Sequence, residues 1–263
     1  MDIHGKTIVL TGATGGIGQA IAKSLSDKGA RLVLVARDAD RLFGLIGQLG
    51  DRGHRAVSAD LSSPEGRRSV AEACSGGASL LINCAGINDF GMFDEQSADT
   101  IRGLIEVNLM SPILLCLEML PLLEREDEAR IINIGSTFGS IGYPGFSTYC
   151  ATKFGLRGFT EALRRELADS HVGVSYIAPR ATRTDLNTDN VVAMNEALGT
   201  AMDEPSVVAV EVMRDISGHS IANKYMGWPE KLFVKVNALF PGLVDKSLHK
   251  QLPTIRRFAA GKT

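Results

Sequence analysis

The chain has 263 residues, of which 44% are hydrophobic and 22% are charged, and its formal net charge is only −2. This composition is typical of a folded globular protein, and it excludes a disordered chain and a general binder of nucleic acid. The length is within the range of a single α/β domain, so we expect one domain with a sizeable core.

Cysteine usage and the apolar runs bear on cellular location. The four cysteines are widely spaced and form no Cys-x-x-Cys pair, so we predict neither a disulfide framework nor a metal site. The sequence starts without a secretory signal, and no uncharged apolar run approaches the roughly 18 residues that span a bilayer. The longest apolar stretch, from Ile113 to Leu123, is interrupted by Glu118 and Pro121, and it predicts a buried helix. We therefore predict a cytoplasmic protein.

Apolar, β-prone runs recur along the chain and alternate with segments of helical spacing. Their continuous hydrophobicity is typical of strands that are buried on both faces of a parallel sheet. This rhythm predicts an α/β fold, namely a doubly wound parallel sheet (Rossmann fold) with helices on both faces. The predicted strands are Thr7–Leu10, Arg31–Ala36, Arg55–Ala59, Leu80–Asn83, Arg130–Ile134 and Val172–Ile177. A polar stretch at about residues 180–204 and the segment from residue 228 onward break the rhythm.

A glycine-rich turn directly follows the first predicted strand and leads into a helical pattern. Its glycines permit a tight turn and the close approach of a pyrophosphate, which the free N–H groups of a helix N-terminus can bind. By itself such a motif could also be an ordinary tight turn. The strand-turn-helix setting favours dinucleotide binding, with contacts from Gly12, Thr14, Gly15, Gly16, Ile17 and Gly18.

The residue after the second predicted strand indicates which dinucleotide is bound. An acidic residue there favours NAD, whereas an arginine accommodates the 2′-phosphate of NADP. Arg37 occupies this position, and its forked, permanently charged donors suit a phosphate, so NADP(H) is the predicted cofactor. In the alternative, Arg37 is only solvated and Asp38 binds a ribose diol. We expect Asp38 and Asp40 to cap the following helix instead.

A tyrosine and a lysine four residues apart, Tyr149 and Lys153, lie near the start of a predicted helix. This interval places both side chains on one helix face. Because a neighbouring ammonium stabilises a phenolate, we expect Lys153 to lower the pKa of Tyr149 from its ordinary value of about 10. Ser136 ends the predicted fifth strand, where its hydroxyl can bind a substrate oxygen or serve simply as a turn residue.

In their order and spacing these motifs resemble the short-chain dehydrogenase/reductase family, over a span from Gly5 to about Gly227. The resemblance implies about seven strands and hydride transfer between a nicotinamide cofactor and a carbonyl or alcohol. We accordingly assign residues 1–227 to the catalytic domain and 228–263 to a C-terminal segment of the same domain or an interface. The matching positions are Thr11, Gly12, Gly16, Gly18, Asp60, Leu61, Asn83 to Gly86, Asn108, Ser136, Tyr149, Lys153, Pro179 and Thr184.

The resemblance also implies individual roles for these residues. Tyr149 protonates the substrate carbonyl during reduction, Ser136 orients it, and Lys153 also binds the nicotinamide ribose. Asn108 holds a water in a proton relay toward Lys153, although it could instead satisfy a neighbouring carbonyl group. Asp60 could likewise cap the helix that follows it. The implied cofactor contacts are Asp60 and Leu61 at the adenine, Asn83 as a brace for the nucleotide loop, Ala85 and Gly86 at the ribose, and Pro179 and Thr184 near the carboxamide or pyrophosphate.

The sequence departs from the family pattern at two positions. Cys84 replaces the second asparagine of the usual Asn-Asn-Ala-Gly, which is a mild change in packing. Arg180 replaces the glycine of the usual Pro-Gly and puts a side chain where backbone normally lies close to the nicotinamide. Arg180 is expected either to contact a cofactor or substrate anion or to lie on the surface facing the 180–204 loop.

The expected substrate wall is apolar, which favours a hydrophobic ketone or aldehyde over a sugar. The same side chains could instead only cover the edge of the sheet. The wall combines residues 140–146 with Leu186, Val191, Val192, Met194, Leu198 and Met202.

The C-terminal segment has one apolar helical face, interrupted near Pro241-Gly242, and carries seven Lys/Arg against two Asp/Glu. This face predicts packing on the domain or on a sister subunit, while the positive charge also suits a membrane surface or an acidic carrier protein.

Three functions fit the sequence. The leading hypothesis is a cytoplasmic, homodimeric or homotetrameric NADP(H)-dependent carbonyl reductase with a hydrophobic substrate and no nucleic-acid partner. The first alternative is a 3-oxoacyl-[acyl carrier protein] reductase, with Arg157, Arg164 and Arg165 as carrier contacts. The second is a non-catalytic NADP-sensing protein, which would be expected to lack the tyrosine or the lysine.

Overall fold

A computed structural model describes residues 1–50, 52–218 and 221–261. Its centre is a seven-stranded parallel sheet in the order β3-β2-β1-β4-β5-β6-β7. The chain reverses its direction across the sheet between β1 and β4, so a crevice opens at the carboxyl ends of these strands. The strands are β1 (Thr7–Thr11), β2 (Arg31–Ala36), β3 (Arg55–Ser58), β4 (Leu80–Asn83), β5 (Ala129–Ile134), β6 (Val172–Ala178) and β7 (Asn223–Tyr225).

Helices cover both faces of the sheet. On one face, α1, α2 and α8 pack through side chains such as Ile21, Leu42 and Val212; on the other, α3, α5 and α6 pack through side chains such as Val70 and Met119. The ten α-helices of the described chain are α1 (Gly16–Asp27), α2 (Ala39–Leu49), α3 (Pro64–Ala73), α4 (Ala98–Ile105), α5 (Ser111–Leu123), α6 (Ser147–Glu166), α7 (Asp189–Ala197), α8 (Pro205–Ser217), α9 (Glu230–Leu239) and α10 (Pro241–Ala259).

The predicted doubly wound sheet is confirmed, and all six predicted strands are present with ends that differ by at most one residue. The seventh strand, β7, has only three residues and reads Asn-Lys-Tyr, so it carries none of the apolar signal of the others. The irregular 180–204 stretch contains α7, and the C-terminal segment forms α9 and α10, which meet at Phe240. Lys262, which contributes to the predicted basic tail, lies outside the described residues.

A continuous helical stretch from Ala98 to Leu123 combines α4, a π-helical turn at Glu106–Met110, and α5. By length and composition it could cross a membrane. Its buried side chains, among them Leu104, Leu115 and Met119, are explained by packing within the domain, where α5 lies on β4 and β5.

Candidate active site

A cavity of about 990 Å³ lies at the carboxyl ends of the central strands. Every predicted cofactor contact lines it, from the glycine turn to Thr184, together with Ser136, Tyr149 and Lys153. Of the predicted catalytic residues, Asn108 alone does not line the cavity. The topology therefore brings together, at one sheet edge, residues separated by more than 170 positions in the chain.

The glycine turn between β1 and α1 offers backbone rather than side chains to the cavity. Gly12 has φ +63°, and a Cβ there would lie 2.7 Å from the Ala85 Cα. A Cβ on Gly18 would lie 2.1 Å from the Gly12 carbonyl oxygen, so only glycine allows α1 to start so close to the strand. No side chain caps α1, and the first N–H groups of a helix lack intrahelical acceptors. This geometry fits a pyrophosphate.

Two arginines line the far end of the cavity, beyond the glycine turn. Arg37 is exposed there, as the sequence predicts, and Arg41 joins it from the first turn of α2. The Arg41 Nη2 donates to the Thr14 carbonyl at 2.9 Å. Asp38 caps α2 by accepting a hydrogen bond from the Arg41 N–H. Arg41 was not among the predicted contacts, although it follows Arg37 by four residues in the sequence.

Asp60 and Leu61 follow β3 and also line this end of the cavity. The Asp60 carboxylate accepts hydrogen bonds from the Ser62 N–H at 3.0 Å and the Ser62 hydroxyl at 2.8 Å. These two bonds, followed by the charge of Arg37, hold the pKa of Asp60 below its usual value. The Leu61 carbonyl accepts a hydrogen bond from Arg67. Hydrogen bonds thus hold both residues in place at this end of the cavity.

The segment after β4 is held against the glycine turn by Thr11. The Thr11 hydroxyl accepts from the backbone N–H groups of Cys84 at 3.0 Å and Ala85 at 3.1 Å. The side chain of Asn83, predicted to brace this segment, instead donates to Asn133 Oδ1 at 2.8 Å and joins β4 to β5. Thr11 rather than Asn83 therefore braces the start of this loop.

Ser136, Tyr149 and Lys153 meet at the centre of the cavity. Ser136 follows β5, and its Oγ accepts from the Phe138 N–H at 3.1 Å, so it is a turn residue that also faces the cavity. Tyr149 and Lys153 come from the first two turns of α6. The Lys153 Nζ donates to the Ile134 carbonyl at 3.2 Å and lies 5.6 Å from the centroid of the Tyr149 ring.

The protonation of this group differs from the sequence-based expectation. Burial raises the pKa of Tyr149 to about 12, and a hydrogen bond with the Ser136 side chain offsets this only in part. The lowering that we expected from Lys153 is not found, because burial of the phenol is the largest influence on its pKa. Burial lowers the pKa of Lys153 to about 8. At neutral pH, Tyr149 is therefore a phenol that can donate a proton.

Asn108 lies in the π-helical turn between α4 and α5 and is buried. Its side chain pairs twice with the Ile87 backbone, accepting from the N–H and donating to the carbonyl, both at 2.8 Å. Gly86 separates it from Lys153, since a Cβ there would lie 3.2 Å from the Asn108 Oδ1 and 3.8 Å from the Lys153 Nζ. Asn108 thus fixes the loop directly beside the lysine.

Tyr176 on β6 is a buried residue that the sequence analysis did not single out. Its hydroxyl accepts from the Ser136 N–H at 3.2 Å and lies 3.2 Å from the Ser136 carbonyl and 3.4 Å from the Lys153 carbonyl. The ring fills the space beside Gly135 and Gly139, where a Cβ would lie within 2.2 Å of it. Tyr176 therefore positions the backbone of Ser136 and of Lys153 together.

Arg180, which departs from the family pattern, lines the cavity and forms two ion pairs. Its Nη2 lies 2.6 Å from the Asp203 carboxylate, and its Nη1 lies 3.4 Å from the Glu230 carboxylate. Asp203 ends the 180–204 loop and Glu230 begins α9. Arg180 therefore joins the two segments that enclose the substrate side of the cavity.

The substrate wall is apolar, as predicted, and receives residues from α9 and α10 as well. Phe138 stacks on Tyr143 with centroids 4.9 Å apart, and the Tyr143 hydroxyl donates to Gln251 of α10 at 3.3 Å. The predicted wall members that do not line the cavity are Ser140, Gly142, Pro144, Gly145, Val192 and Met202. The lining side chains are Ile141, Tyr143, Phe146, Leu186, Val191, Met194, Leu198, Trp228, Phe233, Val236, Leu243, Val244 and Leu248.

Comparison with known proteins agrees with this geometry. A family model described as short chain dehydrogenase matches residues 6–195. The chain belongs to this family. It is accordingly a short-chain dehydrogenase, an oxidoreductase that interconverts alcohols and carbonyl compounds. The matched span includes Ser136, Tyr149 and Lys153.

Curated relatives of this short-chain dehydrogenase include two bacterial proteins of similar length. It is 32% identical over 204 residues to a 3-oxoacyl-[acyl-carrier-protein] reductase of Vibrio cholerae, covering 76% of this chain and 82% of that protein. It is 35% identical over 220 residues to nodulation protein G of a Rhizobium species, covering 79% and 89%.

Solved structures share the fold of this short-chain dehydrogenase. A 3-ketoacyl-(acyl-carrier-protein) reductase from Brucella melitensis, complexed with NADH, superposes with a TM-score of 0.81 at 25% identity, covering 87% of this chain and 99% of that one. A short chain dehydrogenase/reductase from Burkholderia phymatum gives a TM-score of 0.84 at 23% identity, covering 92% and 96%.

Proposed function

We propose that the protein is an NADP(H)-dependent carbonyl reductase whose substrate is a hydrophobic ketone or aldehyde. The proposed reaction is supported by one observation: Ser136, Tyr149 and Lys153 line the same cavity as a glycine turn whose backbone can accommodate a pyrophosphate. The observation that carries the substrate class is the apolar wall that continues from Tyr143 to Leu248.

The residues present fit a nicotinamide dinucleotide. The turn at Gly12 and Gly18 admits no Cβ, so the backbone there is free for close approach of phosphate oxygens. When bound, the nicotinamide supplies a hydride to the substrate carbonyl carbon. Lys153, which lines the cavity, would bind the nicotinamide ribose, and Thr184, whose methyl group lies against Gly16, would close the turn from the other side.

The chain's own residues supply orientation and the proton. The Ser136 hydroxyl donates a hydrogen bond to the carbonyl oxygen, which places that oxygen beside Tyr149. Tyr149 then gives its proton to the oxygen, since its raised pKa keeps it protonated at neutral pH. The positive charge of Lys153 stabilises the phenolate that remains, and its pKa of about 8 keeps most of it charged at pH 7.

Tyr149→Phe tests this mechanism. The variant removes the proton donor and keeps the ring that packs against Phe138 and Phe146. We expect kcat to fall about 100- to 10,000-fold, with the Kd of NADPH within about threefold of wild type. Stopped-flow absorbance of NADPH and a titration by intrinsic fluorescence measure the two quantities. Undiminished turnover in this variant would refute the mechanism, and no turnover in the wild type on any carbonyl would favour a non-catalytic NADP sensor.

The choice of NADP rests on the two guanidinium groups of Arg37 and Arg41 at the adenosine end of the cavity. The similar Brucella melitensis protein was solved with NADH, so cofactor choice needs a direct test. Because a hydrogen bond to a charged group contributes about 1.5–3 kcal/mol, Arg37→Ala should lower the preference for NADPH over NADH about 10- to 100-fold. Arg68→Ala is the matched control, since Arg68 does not line the cavity. A wild-type enzyme that prefers NADH would contradict the assignment.

A second candidate function is reduction of a 3-oxoacyl chain on acyl carrier protein, favoured by the similarity to the Vibrio cholerae reductase. Two of the three arginines considered for carrier binding have partners within the chain. Arg157 pairs with Glu161 at 3.2 Å, and Arg164 donates to the Val174 carbonyl and to Asn223. Comparing kcat/KM for a 3-oxoacyl thioester on the carrier with that for the free ketone of equal chain length decides between the two.

We also infer a homo-oligomer, as the similarity in fold suggests. Support comes from exposed apolar side chains on the adjoining helices α4 to α6, namely Ile105, Met110, Leu117 and Phe154. Light scattering behind size exclusion should give a dimer or tetramer, and Leu117→Glu should shift it toward the monomer.

A further inference from the structure

The helices α9 and α10 present large apolar side chains to solvent around the mouth of the cavity. Leu239 and Phe240, at the turn between the two helices, are 73% and 60% exposed, and Trp228 just before α9 is 71% exposed. Phe233 and Leu243 are each at least half exposed as well. We call these five residues the tip surface. Five large apolar side chains exposed within 16 consecutive residues mark a docking site rather than ordinary scattered surface residues.

The tip surface is continuous with the interior of the substrate cavity. Trp228, Phe233 and Leu243 both contact solvent and line the cavity. Deeper in, Val236 and Leu248 from the same two helices continue the lining toward the aromatic wall. An apolar path therefore leads from outside the protein to the substrate side of the active site.

The two helices are anchored to the domain at places other than the tip. Ile255 and Phe258, near the end of α10, are buried among the residues of the substrate wall. The Asn237 side chain donates to the Ser140 carbonyl at 2.9 Å, and Gln251 accepts from Tyr143. The exposed turn is consequently held at a fixed place beside the cavity mouth.

The charge of this segment identifies the surface that it fits. Residues 228–263 carry seven Lys/Arg and two Asp/Glu, whereas residues 1–227 carry 21 and 28. Lys231, Lys235, Lys246 and Lys250 are all exposed, and none forms an ion pair within the part of the chain that the structure describes. Tryptophan, phenylalanine and leucine beside free lysines are typical of helices that lie in the interface of an anionic bilayer.

We propose that the tip surface docks on an anionic phospholipid bilayer, and that a lipid-dissolved carbonyl compound enters the active site through the cavity mouth beside it. A second copy of the chain fits less well, because a twofold interface here would bring two strongly basic segments together. Docking itself needs no catalysis, whereas the entry of substrate rests on the proposed carbonyl reductase activity.

Vesicle co-sedimentation of the full chain tests the docking step. We expect binding to vesicles of phosphatidylglycerol and phosphatidylcholine, weakening several-fold at high salt, and little binding to phosphatidylcholine alone. The double variant Leu239→Glu/Phe240→Glu should bind about tenfold or more weakly. Neither residue lines the cavity, so its turnover of a short water-soluble ketone should equal that of wild type. Phe43→Glu is the matched control, since Phe43 is 65% exposed on α2, and it should bind like wild type.

The remaining outcomes separate the docking proposal from the function. Absence of binding to the anionic vesicles at low salt, or equal binding by the double variant, overturns the docking proposal. A double variant that changes the oligomeric mass also overturns it, in favour of a second copy. For a long-chain ketone dissolved in the vesicles, the double variant should show a KM raised about tenfold with kcat unchanged. If the wild type binds vesicles but reduces no ketone, docking stands and the proposed function fails.

Discussion

The cavity has a nucleotide half around the glycine turn and a substrate half along the apolar wall, and the two halves differ in the kind of atoms that line them. Around the glycine turn the lining is largely backbone, held by short-range packing such as that of Gly18 on Gly12. The substrate wall is made of side chains from the loop after β5 and from α7, α9 and α10, joined by contacts such as Tyr143 to Gln251, 108 residues apart. A site made of backbone leaves a local glycine pattern in the sequence, whereas the contacts between distant side chains in the wall leave no such pattern.

Of the changes that compare the two halves, Gly18→Ala in the nucleotide half should have the largest effect. The new methyl group would lie 2.1 Å from the Gly12 carbonyl oxygen and 2.9 Å from the Ala13 Cα, and these backbone atoms leave it no room. Overpacking of this kind costs about 1–3 kcal/mol, so α1 should shift and the Kd of NADPH should rise about 10- to 100-fold. Isothermal titration and thermal unfolding measure both effects.

Gly44→Ala is the control for this change, because Gly44 lies in α2 with nothing within 4 Å of its Cβ position. It should bind NADPH normally and gain up to about 1 kcal/mol of stability, since alanine favours the helix. Normal NADPH affinity in Gly18→Ala would show that the close approach of α1 to β1 is not needed for the nucleotide.

A smaller effect is expected at the boundary of the two halves, from Tyr176→Phe. Loss of the hydroxyl leaves the Ser136 N–H without this acceptor and costs about 1–3 kcal/mol of stability. Because Ser136 and Lys153 lose a shared support, kcat should fall about tenfold while the Kd of NADPH stays unchanged. Steady-state kinetics and fluorescence titration provide these values.

Tyr225→Phe makes the same chemical change at a different place, since that hydroxyl bonds with Ser140 at 3.0 Å. Its kcat should remain within about twofold of wild type, because Ser136 keeps its own support. Equal losses of kcat in both tyrosine variants would assign the effect to general destabilisation and not to positioning.

The smallest effect is expected in the substrate half, from Arg180→Ala. The ion pairs with Asp203 and Glu230 are partly exposed, so their loss should raise the KM of the carbonyl substrate about three- to tenfold. The Kd of NADPH should not change if the two halves are as separate as the structure indicates. Arg180→Lys keeps the positive charge but loses the two-pronged guanidinium group, so its KM for the carbonyl substrate should lie between those of wild type and Arg180→Ala. An increase confined to the Kd of NADPH would assign Arg180 to the nucleotide half.

How far the site could be predicted depends on the range of the contacts concerned. Tyr149 and Lys153 were predictable because four residues along a helix are always neighbours, and Ser136 because it ends a strand at the carboxyl edge. The role of Tyr176 was not predictable, because its hydroxyl contacts the backbone of Ser136 and of Lys153, which are 40 and 23 residues away in the chain. The pKa of Tyr149 also differed from expectation, because burial is a property of the assembled cavity.

By itself, the sequence determined the doubly wound sheet, the glycine turn and the helix that carries Tyr149 and Lys153. Each of these depends on local backbone preference or on hydrophobic periodicity, which neighbouring residues specify. Only the tertiary structure decided that Arg180 pairs with Asp203 and Glu230, that Tyr176 supports Ser136, and that α9 and α10 complete the cavity with an exposed apolar tip. These features arise where segments far apart in the chain meet, and such pairings are set by the packing of the whole domain.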